Sequence, residues 1–444
     1  MPFRMDEKQM TIDLSNPLKL PCGATLPNRL VKAALTEGLS NAMNHATERH
    51  IRLYRRWSEG GAGLLVTGNV QVDRTHLERP NNIVIDNNGG FDELRALAKA
   101  GTVGDNHFWM QINQPGRQTP ANINPTPLAP SAVAVNAADT ACGKPVAMTE
   151  AQILDVIRRF VHAATVAREC GFTGVQVHAA HGYLMSQFLS PLSNQRTDAW
   201  GGPLENRARI LLEIVRQIRK TVGADFPISV KLNSADFQKG GFSEDESMEV
   251  VRWLGEEKID LLEISGGNYE NVEQMMRRSD GSSGEKTEAN TKRVAESTRR
   301  REAYFLAYAD KVRPVFKQPL MITGGFRSRE VMVGALQAGE VDVIGLGRPF
   351  CVMPDVCRRL LKSELDSAPA PERIQSLERD ALGPGMDDKM FHAMETWSQV
   401  AWSCMQLVRM GDGKDPDLDM TLMEALGGFD AHERAALEAW QLAN

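Results

Sequence analysis

Between residues 178 and 207 the chain concentrates polar groups of catalytic type: His178-Ala-Ala-His181-Gly-Tyr183, then Gln187-Phe-Leu-Ser-Pro191, Asn194, Arg196-Thr-Asp198, Gly201-Gly202 and Glu205-Asn-Arg207. Two imidazoles and a phenol follow directly on Val175-Gln-Val177, a short apolar run of strand type. They therefore belong where a buried strand opens into a loop, and there they can meet one ligand together. The block reads as an active site. Paired histidines also invite a zinc site, but zinc needs further ligands, and the chain has 9 histidines with no HExxH pattern. Tyr183 alone has a plain alternative, packing over a pocket; beside the two histidines the catalytic role leads.

A site of this kind must be held by a scaffold, and the rest of the chain reads as alternating strands and helices. Strand candidates are 30–33, 64–67, 108–111, 175–177, 228–231, 261–264, 320–323 and 341–344. Helix candidates are 47–59, 92–99, 149–170, 204–222, 244–255, 302–312, 329–337 and 354–362. Eight of each predict an α/β fold, a closed (β/α)8 TIM barrel, with an open doubly wound sheet as the runner-up. Leu18-Lys-Leu20 and Ala24-Thr-Leu26 flank Pro21-Cys-Gly23 and predict a hairpin that plugs the N-terminal end of the barrel.

Barrel enzymes collect their chemistry at the C-terminal ends of the strands and often seat a phosphate after strands seven and eight. Thr323-Gly324-Gly325 ends the seventh strand and Gly345-Leu-Gly347-Arg348 the eighth. Glycines let backbone N–H groups approach a phosphate, and Arg348 adds a fixed charge.

Three segments lie outside the alternation. Residues 114–148 are rich in Pro, Asn and Ala; residues 266–300 read as a mobile lid or a disordered excursion. After Glu364, Ala368-Pro-Ala-Pro371 marks a linker, and Met390, Met394, Trp397, Ala401, Met405 and Val408 form a stripe at helical spacing. The division expected is a barrel domain over 1–364 and a helical C-terminal extension over 365–444, packed on the barrel or on a second subunit in a homo-oligomer. Asp412, Asp415, Asp417 and Asp419 lack the mid-loop glycine and closing glutamate of a calcium loop, so a solvated acidic turn is expected.

Bulk properties narrow the partners. With 444 residues, 42% hydrophobic and 24% charged, the chain is a soluble globular protein. A net charge of −6 disfavours nucleic acid and anionic membranes, which need concentrated Lys and Arg, and favours a small molecule. The 6 cysteines show no CxxC spacing, which argues for structural thiols rather than a zinc ribbon or iron–sulfur cluster. The polar N-terminus and the lack of a spanning apolar run predict a cytoplasmic protein.

At this point the chain resembles the Old Yellow Enzyme family of FMN-dependent NAD(P)H:flavin oxidoreductases, from about Leu18 to Cys357. The resemblance rests on Asn28-Arg-Leu-Val-Lys-Ala-Ala-Leu-Thr36, Gln111, Ala129-Pro-Ser131, the block 178–207, Gly324-Gly325 and Gly347-Arg-Pro-Phe350. The long block is highly specific. The resemblance implies FMN as cofactor and NADH or NADPH as hydride donor. It further implies that His178 and His181 donate hydrogen bonds to the oxygen of an electron-withdrawing group and that Tyr183 delivers the proton. Thr36 would bond the flavin C4 carbonyl, with Ala34 in backbone contact nearby. Gln111 would hold the pyrimidine edge, and Gly68 would line the same side. An activated alkene then gains a hydride at its β-carbon, two imidazole N–H groups stabilise the enolate oxygen, and the phenol protonates the α-carbon.

Two positions depart from the family pattern. Lys231 stands where arginine is usual, keeping the charge beside flavin N1 and the C2 carbonyl but losing the planar fork. Asn113 stands where several relatives carry an aromatic residue over the substrate. Relatives of the dienoyl-CoA reductase or trimethylamine dehydrogenase type add a cysteine cluster and a dinucleotide-binding domain after the barrel, which the tail here does not suggest. Rivals of other classes are a Schiff-base lyase using Lys231 and a non-enzymatic binding scaffold. Arg196, Asp198, Glu205 and Arg207 read as a loop-anchoring ion network.

Overall fold

In a computed structural model, residues 12–135, 141–265, 306–373, 375–377 and 387–444 are described. Ahead of the barrel, β1 (Leu18–Lys19) and β2 (Thr25–Leu26) form the expected antiparallel hairpin. Eight parallel strands then close into a ring: β3 (Leu30–Lys32), β4 (Leu64–Gln71), β5 (His107–Asn113), β8 (Gly174–Ala179), β9 (Ile228–Asn233), β10 (Leu261–Ser265), β11 (Leu320–Thr323) and β12 (Val343–Leu346), with β12 pairing back onto β3. Two short strands, β6 (Leu128–Ala129) and β7 (Val146–Ala147), pair with each other outside the ring, within the Pro-rich segment after β5. The closed sheet excludes the open alternative.

Helices cover the outside of the ring, so its strands are buried on both faces and largely apolar. In chain order they are α1 (Glu48–Ser58), α2 (Phe91–Ala100), α3 (Glu150–Glu169), α4 (Leu184–Leu189), α5 (Leu204–Val222), α6 (Glu244–Glu256), α7 (Arg329–Gln337), α8 (Pro349–Val352) and α9 (Val356–Leu361). Inside the ring, Val31, Leu64, Val66, Trp109, Leu261, Met321 and Val343 pack against Leu20 and Leu26 of the hairpin. The hairpin therefore closes the barrel from below and leaves the other rim for ligands.

Helix starts follow local chemistry. Thr149 and Ser243 cap α3 and α6 with reciprocal capping boxes. Between them, α5 covers the range expected from the sequence. The expected helix at 302–312 is described only over residues 306–312, and the expected lid at 266–300 lies outside the described residues.

Strand ends differ from expectation in an instructive way. β4 runs on to Gln71 through an irregular register between Val66 and Asn69. Gly68 sits in that irregularity, where an added Cβ would lie 2.1 Å from Glu37 Oε2 and 2.6 Å from the Leu35 carbonyl. Only glycine lets the strand approach the loop after β3 so closely. β12 begins two residues later than expected, and just ahead of it the Asp342 carboxylate is engaged by Arg313 at 2.6 Å and by the Leu320 N–H at 2.9 Å. The expected helix at 354–362 is shorter, α9, and is preceded by the separate turn of α8.

The tail forms two helices, α10 (Asp388–Gly411) and α11 (Leu422–Ala443). Ala401 and Val408 of the predicted stripe are buried and Met394 and Met405 half-buried, whereas Met390 and Trp397 are exposed. α10 leans on α1, and the acidic turn that follows pairs with it, Asp412 with Arg49 at 2.7 Å and Asp415 with Arg56. α11 lies over the loop after β3: Trp440 Nε1 donates to Asn44 Oδ1 at 3.1 Å, and His432 Nε2 lies 2.7 Å from the Gly38 carbonyl.

Candidate active site

All eight barrel strands are parallel, so their C-terminal ends share one rim. His178, penultimate in β8, and Arg348, two residues past β12, come from strands four places apart in a ring of eight. They face each other across the same mouth.

His178 belongs to the strand proper, whereas His181 lies in the loop with a left-handed φ of 61° and Gly182 follows at 75°. A non-glycine residue held there carries local strain, a feature that accumulates at functional sites. The His178 ring meets that of His181 at 5.1 Å and that of Tyr183 at 5.0 Å, both edge to face. Tyr183 starts α4 as its N-cap and is buried. The three residues therefore form one cluster.

Hydrogen bonds assign protons within it. The Ala180 N–H donates to His178 Nδ1 at 3.2 Å, which leaves the proton of the neutral ring on Nε2. His181 Nε2 lies 2.8 Å from Ser265 Oγ, and its backbone N–H reaches Asn233 Oδ1 at 3.2 Å. Burial, then the charge of Lys231, hold His181 well below the usual imidazole range; burial, His181 and Lys231 do the same to His178. Both are neutral donors at pH 7.

Below the cluster the barrel interior is polar. Lys231, the register partner of His178, stands 2.9 Å from Glu263. Glu263 Oε2 accepts from Gln176 Nε2 at 2.8 Å, and Gln176 Oε1 accepts from Gln111 Nε2 at 2.8 Å. All four residues are buried.

On the β3 side, Thr36 Oγ1 donates to Asn69 Oδ1 at 3.0 Å, and Ala34 is half-buried just past the strand. The Gly68 N–H is directed at Glu37 Oε1 at 2.9 Å and the Tyr54 hydroxyl at 3.2 Å. Gly68 thus supports the segment carrying Ala34 and Thr36 by close packing, and its own N–H is engaged within the protein. Asn113 is buried, with Nδ2 3.4 Å from Gln71 Oε1.

At the opposite side, Gly324 and Gly325 have φ of 131° and 85°, values open to glycine. Gly347 and Arg348 follow β12, and Pro349 at the first helical position starts α8. Arg348 Nη2 is 3.8 Å from Glu372 Oε1, which also receives Arg327 Nη2 at 2.8 Å. Burial would raise the Glu372 carboxyl, but Arg348 and Arg327 outweigh it and hold it below its ordinary value. Arg327 and Glu372 were missed by sequence reasoning; the arginine two residues beyond Gly325 was the available signal, while Glu372 arrives from the linker and left none.

This donor set fits FMN: a guanidinium pair and two positive-φ glycines at one end suit a phosphate, the buried hydroxyl oxygen of Thr323 lacks a partner at the same strand end, and an amide and an ammonium lie toward the middle. Arg348, Gly324, Gly325 and Gly347 would hold the phosphate end, and Thr36, Gln111 and Lys231 the ring system. Around the mouth, Arg196 bonds Asp198 at 2.5 Å and the Met148 carbonyl at 2.6 Å, and Arg207 pairs with Glu246, so these charges anchor loops. Among the described residues no group of three or more His, Cys, Asp or Glu is placed to hold a metal ion, and no helix is long and apolar enough to cross a membrane.

Fold and site together define a barrel oxidoreductase of the flavin-dependent class. Residues 13–366 match the NADH:flavin oxidoreductase / NADH oxidase family, and the chain belongs to it. It is an FMN-dependent oxidoreductase with a nicotinamide as its reductant. An NADH-dependent flavin oxidoreductase of Aspergillus parasiticus is 35% identical over 429 residues, covering 93% of this chain and 88% of that protein, so the match continues into the tail. Among solved structures, 2-naphthoyl-CoA reductase superposes with TM-score 0.69 at 25% identity over 80% of this chain, which spans only 53% of that larger chain. The old yellow enzyme homologue of Zymomonas mobilis superposes with TM-score 0.66 at 23% identity, covering 83% of this chain and 98% of that one, a likeness of fold.

Proposed function

We propose that this chain is an ene-reductase: it takes hydride from NADH or NADPH and delivers it to the activated C=C bond of an α,β-unsaturated carbonyl or related electron-poor compound. The observation that carries the reading is the cluster of two neutral imidazoles and one phenol, in which the His181 and Tyr183 rings stand 5.1 Å and 5.0 Å from that of His178. When bound, FMN supplies reversible hydride transfer. The residues supply everything else. His178 Nε2–H and an N–H of His181 meet the carbonyl oxygen, where negative charge grows during reduction. Neutral imidazoles suit this task, because they donate without leaving a buried cation unpaired when the oxygen departs. Tyr183 gives its hydroxyl proton to the α-carbon, after which solvent restores it.

In this reading the Thr36 hydroxyl turns its proton from Asn69 to the C4 carbonyl of the cofactor, Ala34 contributes backbone contact, Gln111 holds the pyrimidine edge, Lys231 offsets charge near N1, and Gly324, Gly325, Gly347 and Arg348 receive the phosphate. Gly68 serves indirectly by packing against Glu37. The lyase alternative is weakened because the nitrogen a Schiff base requires is paired with Glu263 at 2.9 Å in a buried position.

The test is anaerobic: purified protein is mixed with NADH or NADPH, and the bleached flavin is then mixed with an enone. Rapid return of the oxidised spectrum with one equivalent of saturated product supports the reading. Reduction by nicotinamide without reoxidation by any enone, nitroalkene or quinone of a panel removes it.

A further inference from the structure

Four buried side chains run in one line across the barrel interior, and the line has a direction. Glu263 begins it. A carboxylate beside the Lys231 ammonium at 2.9 Å offers only acceptors, so the group of Gln176 that faces it at 2.8 Å must be the amide NH2. The second hydrogen of that NH2 reaches Ser229 Oγ at 3.2 Å, which leaves Gln176 Oε1 as an acceptor. Oε1 is met by the NH2 of Gln111 at 2.8 Å. One hydrogen of the Gln111 NH2 is thereby committed to the line, which fixes the orientation of the amide and leaves its carbonyl oxygen as the acceptor it can offer a ligand.

We propose that Glu263 sets the hydrogen-bond polarity of Gln111 through Gln176, so that the site offers an acceptor to the imide N3–H of the flavin's pyrimidine ring. Glu263 and Gln176 are positioning residues, acting through Gln111. A primary amide on its own presents either end at little cost; one locked at the far side by an acceptor-only group presents one end. The same carboxylate offsets the Lys231 charge, so one buried group tunes two contacts to one ring. The inference rests on the proposed role of Gln111 at the pyrimidine edge.

The probe is 3-deaza-FMN, in which carbon replaces N3 and the imide N–H donor is lost. Full-length apoprotein is titrated with FMN, 3-deaza-FMN and riboflavin by fluorescence quenching. Wild type is expected to bind FMN at least about tenfold tighter than 3-deaza-FMN. Gln176→Met should bring that ratio below about threefold, and so should the charge-neutral pair Lys231→Met/Glu263→Gln, while the FMN-to-riboflavin ratio, set at the phosphate end, stays as in wild type. A variant that does not fold leaves the other to decide. If both ratios persist unchanged in every folded variant, the relay is overturned. Gln111→Met separates the two ideas: if it keeps the preference for FMN, the pyrimidine-edge role of Gln111 fails; if it alone loses the preference, only the relay does.

Discussion

His178 and Lys231 are register partners on adjacent parallel strands β8 and β9. One rung of the barrel therefore carries both the imidazole proposed to meet the substrate oxygen and the ammonium proposed to face the cofactor, and the ammonium helps to keep that imidazole neutral. This coupling ties the substrate and cofactor sides of the site to the most rigid part of the fold, where strand pairing fixes spacing to a fraction of an ångström.

His178→Ala should weaken binding of phenolic ligands, whose phenolate oxygen mimics an enolate. A hydrogen bond to a charged group contributes about 1.5–3 kcal/mol, so an increase in Kd of roughly 10- to 100-fold is expected in a spectroscopic titration of the flavin. Unchanged phenol affinity would remove His178 from the oxygen site.

Arg348→Ala should lower affinity for FMN by roughly 10- to 100-fold and leave riboflavin affinity within about twofold, because the lost contact is a charged one to phosphate alone. Equal losses for both flavins would place Arg348 elsewhere in the site.

Acid should destabilise the protein through three histidines held below the usual imidazole range. Burial pushes His50 down to about 4, and His178 and His181 lie well below the usual value of 6.5. The unfolded chain takes up these protons first, so their contribution to stability is complete above pH 6.5 and falls as pH drops toward the folded-state values. For His50 alone the loss reaches about 3 kcal/mol by pH 4. Thermal scans should give a flat Tm between pH 7 and 8 and a steady decline below 6.5, and His50→Gln should flatten part of that decline. An acid limb identical in wild type and variant would contradict the assignment to His50.

Trp440→Ala should loosen the loop after β3 from outside. Removing a buried indole costs about 3–5 kcal/mol, and Asn44, which accepts its N–H, also donates to the Pro80 and Asn82 carbonyls at 2.8 Å and 3.0 Å. A lower Tm together with faster FMN dissociation is expected, since Thr36 lies on the same loop. A lower Tm with unaltered dissociation would confine the tail to a structural role.

Much of the scaffold was legible because strands buried on both faces must be largely apolar, and a run such as Leu320–Thr323, set between Pro319 and Gly324, suits little besides a buried strand. The histidine–tyrosine cluster was legible because its members lie within six residues, so local geometry brings them together. Contacts between distant segments left no such trace: Ser265 beside His181, Gln176 and Glu263 behind Gln111 and Lys231, and Glu372 between Arg327 and Arg348 depend on strand order and on the return of the linker. Gly68 was singled out as a pocket lining, yet its requirement is steric, set by Glu37 across the register irregularity of β4. A pattern reading sees the glycine but not the neighbour that demands it.

The central claim is that Tyr183 hands over the proton in alkene reduction and in nothing else. The direct measurement is anaerobic stopped-flow on Tyr183→Phe, following both half-reactions. The rate of flavin reduction by nicotinamide should stay within about twofold of wild type, while reoxidation by an enone should slow by roughly 100-fold or more, the scale of a lost general acid. Equal slowing of both halves, or an unchanged enone step, would contradict it.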